Sequence, residues 1–217
     1  IVNSFGENLI VTAKPQIISC YANNKIDEMY DVIIFSSKFS FYILFILILP
    51  LMINSQYILD LWLVDVPPLC SVFMQLILID VLIRILFEPI GTLNQASGKI
   101  FIYQVTISLL WLFQFITTYV VYSKGFNPAT PFIIAIIISV VGYCIRLLIL
   151  HKVNNFNVIL YLKKVLCPIL VVTVLSFPIP IIYAILFKSS IVSLVLSIII
   201  CLITTTINIF AIGLTKQ

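Results

Sequence analysis

Apolar residues along this chain come in long runs rather than in one-faced stripes. Runs at residues 39–53, 69–99, 100–122, 131–150, 165–187 and 191–214 each predict a membrane-spanning helix, since a crossing takes about 20 apolar residues. Between them the polar positions mark the connections. Residues 1–20 are too polar and too short for a span and predict a partial helix turned by Pro15. Residues 21–38 mix Lys25, Asp27, Glu28, Asp31 and Lys38 with Ile26, Met29, Tyr30, Ile33 and Ile34, a pattern that predicts an interfacial amphipathic helix. Residues 54–68 carry Asp60 and Asp65, and their YILDLWL stretch predicts a short helix with Tyr57 and Trp62 at headgroup level. A Gly-Asn-Pro turn is expected within 124–131, and 154–164 reads as a polar connection on the membrane surface. Pro178 and Pro180 predict a kink or a broken turn in the fifth run. Thr204–Thr206 and Asn208 are expected to bond to neighbouring helices in the last. The fold class is therefore all-α: a polytopic transmembrane bundle of about six full spans plus a partial N-terminal helix.

One run departs from the others. Residues 69–99 enclose Asp80, Arg84 and Glu88, and a charged side chain near a bilayer centre costs roughly 2.5–3.5 kcal/mol. On one continuous helix at about 100° per residue the three fall at about 0°, 40° and 80°, so they share a face. Gly91, Asn94, Gln95 and Gly98 lie close to that face and Pro89 opposite it. Such a stripe should face protein or water rather than lipid. Two readings stand side by side: an ion network that glues the helix to its neighbours, and the wall of a solute pathway.

Composition sharpens the class. The chain is 62% hydrophobic and 9% charged, against about 25% charged in soluble domains. It reads as an integral membrane protein. The net charge of +4 comes from basic residues scattered at helix ends, which does not point to nucleic acid. Lys14, Lys25, Lys38, Lys99, Arg146, Lys152, Lys163, Lys164 and Lys216 gather at alternate ends of the spans, against only Lys124 and Lys188 at the others. The positive-inside rule then puts the C-terminus in the cytoplasm and the Asp60/Asp65 loop outside. Cys20, Cys70, Cys144, Cys167 and Cys201 have no paired spacing and read as free small hydrophobes. His151 has no partner for a metal site, and no cofactor is implied. The chain opens at Ile1 without Met or a charged leader, so it is expected to be a piece of a longer protein, cut inside a domain.

No P-loop, HExxH, GxSxG or dinucleotide turn is present, and every connection is short, so an enzyme is not expected. No filter-like repeat suggests a channel. A transporter needs polar groups at mid-depth and helix breakers; Asp80, Arg84 and Glu88 supply the first, and Pro89, Pro178 and Pro180 are candidate hinges. Arg84 reads as the one intramembrane cation near the middle of a span, able to grip a phosphate through two N–H groups. Asn94, Gln95, Gln104 and Gln114 are candidates for bonding sugar hydroxyls along the pathway, with interhelical bonding as the plainer alternative.

Two segments carry a resemblance. VTAKPQIISCYANNKIDEMYDVIIFSSKFSF (residues 11–41) holds Ala13-Lys14-Pro15-Gln16 and then Ser19-Cys20-Tyr21-Ala22-Asn23-Asn24; EPIGTLNQASGKIFIYQ is residues 88–104. Both resemble recurring stretches of polysaccharide and O-antigen (lipopolysaccharide) flippases, members of the multidrug/oligosaccharidyl-lipid/polysaccharide exporter superfamily that also holds the MATE drug antiporters. The resemblance implies a two-lobed, MATE-like transporter, V-shaped around a central cavity. Residues 1–153 would then be the C-terminal lobe without its first helices, and 154–217 two additional spanning helices. It implies a bacterial inner-membrane location and, as partners, the lipid bilayer, the missing N-terminal lobe of the same chain, a lipid-linked oligosaccharide and a coupling ion (H+ or Na+). The implied activity is flipping of undecaprenyl-pyrophosphate-linked oligosaccharide units by alternating access. A MATE-like antiporter of organic cations, using Asp80 or Glu88, and a structural membrane subunit stay open as alternatives.

Overall fold

Six helices among the described residues are long and apolar enough to cross a membrane, as the apolar runs predict. A computed structural model describes residues 10–98, 100–187 and 190–213, without the side chains of 153 and 154. Lys99, Lys188 and Lys216, used above for orientation, lie outside the described residues, as do residues 1–9 of the partial helix. The described residues form helices and turns with no strand.

The chain runs α1 (Lys14–Ala22), α2 (Ile26–Ile53), α3 (Ser55–Trp62), α4 (Cys70–Ile85), α5 (Phe87–Ala96), α6 (Ile100–Ser123) and α7 (Thr130–Asn154). Then come α8 (Val158–Tyr161), a π turn (Leu162–Leu166), α9 (Cys167–Ser176), α10 (Pro178–Leu186) and α11 (Ile191–Asn208), which ends in a second π turn (Ile209–Gly213).

Three expectations need correction. First, the amphipathic segment and the first span are one helix. Nothing between Ile26 and Leu49 breaks it, because no Gly or Pro occurs there, so α2 runs 28 residues, about 42 Å. Its first turn carries Asp27 and Glu28 at the positive end of the dipole. Pro50 sits in its last turn, where Asn54 closes the helix by donating from Nδ2 to the Pro50 carbonyl at 2.9 Å. Second, the charged run is two helices. Pro89 has no N–H for the Ile85 carbonyl, and α4 stops at Ile85; the Leu86 N–H bonds three residues back, to Ile83 O at 3.3 Å. Third, the polar connection at 154–164 is mostly helix. The turn itself is Asn155 to Asn157: Asn155 takes the left-handed conformation (φ 51°), and Asn157 Oδ1 accepts from Leu160 N–H at 3.0 Å to start α8. Lys163 and Lys164 thus lie in the π turn. The break expected near Pro178 does occur, at Phe177, with Pro178 in the first turn of α10 and Pro180 two residues on.

The core is built around α2. Ile33, Leu44, Phe45, Ile48 and Leu49 are fully buried and pack with Tyr161, Val165 and Val172 of the later helices and with Ile85, Ile90 and Leu93 of α4 and α5. Residues on both sides of the 153/154 division therefore share one core. The most apolar window of α2 is 56% buried, that of α6 only 11%, so α2 is the axis and α6 the outermost wall. Exposed Phe, Leu and Ile cost nothing against lipid tails; in a bilayer, cohesion comes from close packing and interhelical hydrogen bonds. Asn208 makes such a bond, donating to Ser176 Oγ at 3.1 Å, and Asn54 another, to Ser197 Oγ at 3.0 Å. Thr204 and Thr205 instead bond carbonyls of their own helix.

Candidate functional site

The last two turns of α4 present Asp80 and Arg84 one turn apart. Arg84 Nε lies 2.7 Å from Asp80 Oδ2, while the Nε–H is not aligned for a hydrogen bond; the contact is one of charge. Ser139 on α7 donates to the other carboxylate oxygen, Oδ1, at 2.5 Å. Asp80 is thus held from two helices and in turn holds the arginine. The Arg84 guanidinium lies 4.7 Å from the centre of the Trp111 ring on α6, a cation–π contact.

A second arginine reaches the same place. Arg146 of α7 stacks its guanidinium over Phe87 at 4.9 Å and Tyr103 at 5.6 Å. Its Nε is buried and has no hydrogen-bond partner among the described residues. A buried donor left unmade costs about 1–3 kcal/mol, which an incoming acceptor would recover. Glu88, on α5 just past the break, borders the same space and pairs loosely with Lys14 of α1 at 3.8 Å. Both side chains of that pair are about two-fifths exposed, so it contributes no more than about 1 kcal/mol.

Between α4, α5, α6 and α7 lies a cavity of about 330 Å³ whose polar lining is Arg84, Glu88, Gln114, Ser139 and Arg146. Leu44, Ile107, Leu110 and Ile138 supply apolar walls. The lining holds two fixed cations and one carboxylate, with Asp80 behind Arg84. It offers convergent N–H donors in an apolar surround, suited to an anion carrying two or more oxygens.

Of the residues singled out from the sequence, Arg84, Glu88 and Gln114 line this cavity, and Asp80 pairs with Arg84 behind it. Asn94, Gln95 and Gln104 do not line it. Asn94 is buried and donates to the Ile90 carbonyl of its own helix at 3.2 Å, and Gln95 and Gln104 are exposed elsewhere. Pro89 sits beside the α4/α5 break next to the cavity; Pro178 and Pro180 flank the distant break at Phe177. Arg84 as the one mid-span cation is corrected: α7 continues to Asn154, which moves Arg146 two turns inside the helix. Ser139, Gly142 and Arg146, spaced by three and four, formed a legible small-and-polar stripe in an otherwise apolar run.

Among the described residues no cluster of His, Cys, Asp and Glu could hold a metal ion. His151 Nδ1 lies 3.0 Å from the Phe156 carbonyl, closing the turn after α7. No family model matches the chain, and comparisons with curated proteins and with solved structures found no match.

Proposed function

We propose that this chain is part of a flippase that carries undecaprenyl-pyrophosphate-linked oligosaccharide units across the bacterial inner membrane by alternating access, with its C-terminal end cytoplasmic. One observation carries the reading: Arg84 and Arg146 reach one apolar-walled cavity from different helices. A pyrophosphate cannot cross hydrocarbon without its charge being met, and two guanidinium groups offer it paired N–H donors. The volume of about 330 Å³ is at the low end for a small-molecule site, enough for a head group. In this scheme Arg84 and Arg146 hold the phosphates, Asp80 and Ser139 keep Arg84 oriented, and Gln114 bonds a sugar hydroxyl. Glu88 exchanges between Lys14 and Arg146 as the anion arrives or leaves, or as a coupling H+ or Na+ does. The helix breaks at Leu86 and Phe177 are where the bundle would bend, and the other lobe would close the pathway. The resemblance of residues 11–41 and 88–104 to the flippase family supports the same reading.

The test is surface polysaccharide in the longer parent protein, scored at equal membrane abundance. Arg84→Ala and Arg146→Ala should each abolish it, and Arg146→Lys should retain part. Export that depends on Glu88 but survives both arginine changes would instead favour a cation antiporter. Export unchanged in all of these variants would make the charged cluster structural and overturn the proposal.

A further inference from the structure

Away from the cavity, two further cations have no ion-pair partner among the described residues. Tyr161 donates to Ser37 Oγ at 2.9 Å, a fully buried bond that ties the end of α8 to α2. Lys38 follows Ser37, and Lys164 follows Tyr161 by one turn inside the π turn that packs on α2. Both lysines are half-buried at this seam, and the Lys164 charge is felt at Lys38. The ion pairs among the described residues engage Lys14, Lys25 and Arg84, and none engages Lys38 or Lys164. Like charges on adjacent helices repel, and an anion bound between them would relieve that repulsion.

Depth identifies the anion. Lys38 immediately precedes the apolar run 39–53, and Lys164 immediately precedes the run 165–187. Each therefore stands at the polar edge of its apolar run, and the Tyr161–Ser37 bond puts the two at one level on adjacent helices. Phe35 and Phe39, exposed and stacked at 5.4 Å, lie within about 100° of Lys38 around α2 and offer an apolar ledge beside it. Basic pockets between spanning helices at headgroup depth suit anionic lipids, and π turns recur at functional positions.

We infer that Lys38 and Lys164 form a binding site for the phosphate headgroup of an anionic membrane phospholipid, seated at the seam of α2 and α8 with an acyl chain along Phe35 and Phe39. The site clamps the later helices to α2 by neutralising two charges that otherwise push them apart. It does not depend on what the Arg84/Arg146 cavity carries.

The experiment uses the full chain in a neutral detergent. Retention of phosphatidylglycerol and of phosphatidylethanolamine is measured by native mass spectrometry, and thermal unfolding is followed with and without each lipid. Phosphatidylglycerol should be retained about tenfold better than phosphatidylethanolamine. Lys38→Gln/Lys164→Gln should erase that preference, while Lys163→Gln, at the exposed neighbour, should keep it. Without lipid, Lys38→Gln alone should raise the unfolding temperature, and phosphatidylglycerol should then add less than it adds to the unaltered chain. If the double variant does not fold, Lys164→Gln and the charge-keeping Lys38→Arg/Lys164→Arg decide, the first losing the preference and the second retaining it. Equal retention of the two lipids, an unchanged preference in the charge-neutral variants, or full displacement of the lipid by millimolar inorganic phosphate (a free-anion site) would each overturn the inference.

Discussion

Gly91 of α5 faces Tyr103 of α6 so closely that a methyl group placed on it would lie 2.9 Å from the tyrosine hydroxyl oxygen. The next ring atom, Cζ, would be 3.9 Å away, an ordinary contact. Tyr103 is only 5% exposed and lies under the Arg146 guanidinium, so its ring has little room to yield. Two terms then compete in Gly91→Ala. Alanine is the better helix former by about 1 kcal/mol, while overpacking costs about 1–3 kcal/mol. With the overlap confined to one rigid oxygen we take about 2 kcal/mol for the clash, so the variant should lose about 1 kcal/mol. In a Tyr103→Phe background the oxygen is gone, and the same Gly91→Ala change should gain about 1 kcal/mol from helix propensity. The measurement is the four-protein cycle, unfolded by SDS in mixed micelles and followed by circular dichroism. A coupling of about 2 kcal/mol with a change of sign is expected; the cycle cancels the direct effect of losing the hydroxyl. If Gly91→Ala has the same sign in both backgrounds, the close approach of α5 and α6 does not govern this position.

Asp80→Asn should cost about 1–2 kcal/mol in the same assay, because it leaves the partly buried Arg84 without its ion pair, and adding Arg84→Gln should restore part of the loss. Asn208→Ala should cost about 0.6 kcal/mol, the average worth of an interhelical hydrogen bond inside a membrane protein, with Ser176→Ala non-additive to it. Lys25, outside the spans, has its pKa raised above the ordinary lysine value, first by its hydrogen bond to Glu28 and then by the charge of that carboxylate. A raised folded-state value means the pair stabilises the fold fully below the ordinary lysine range and loses that effect as pH climbs through the raised value. Glu28→Gln should bring the Lys25 titration, read by 15N NMR, back down.

What the sequence disclosed followed from what each residue type can do by itself. Runs of apolar residues have no alternative in water, so all six spans were legible. Proline removes a donor wherever it stands, so the break near Pro178 was legible too, whereas Pro89 was read as a candidate hinge in one continuous helix and the split before it was missed. Boundaries set by polarity were not legible. Lys38 and Lys164 end the polar stretches before two apolar runs, but backbone hydrogen bonding ignores such a change in polarity, and the helices run straight through it. Asn94 was misplaced because an amide in a helix can satisfy itself on the carbonyl four residues back. Arg146 was read with the basic residues at a helix end, and only the full length of α7 turns it into a cavity group.

The central place of α2 sets a timetable for biosynthesis. Its bond from Asn54 reaches Ser197, 143 residues further along the chain. At about 5–20 residues per second, the ribosome needs about 7–30 seconds to deliver that partner after Asn54 itself is made. For that interval the α2 surface that will receive α11 faces lipid or an insertion chaperone, with the Asn54 amide bonded to the Pro50 carbonyl but not yet to Ser197. Nascent chains arrested before Ser197 should therefore keep Asn54 accessible to crosslinking from the insertion machinery, and release should coincide with emergence of α11.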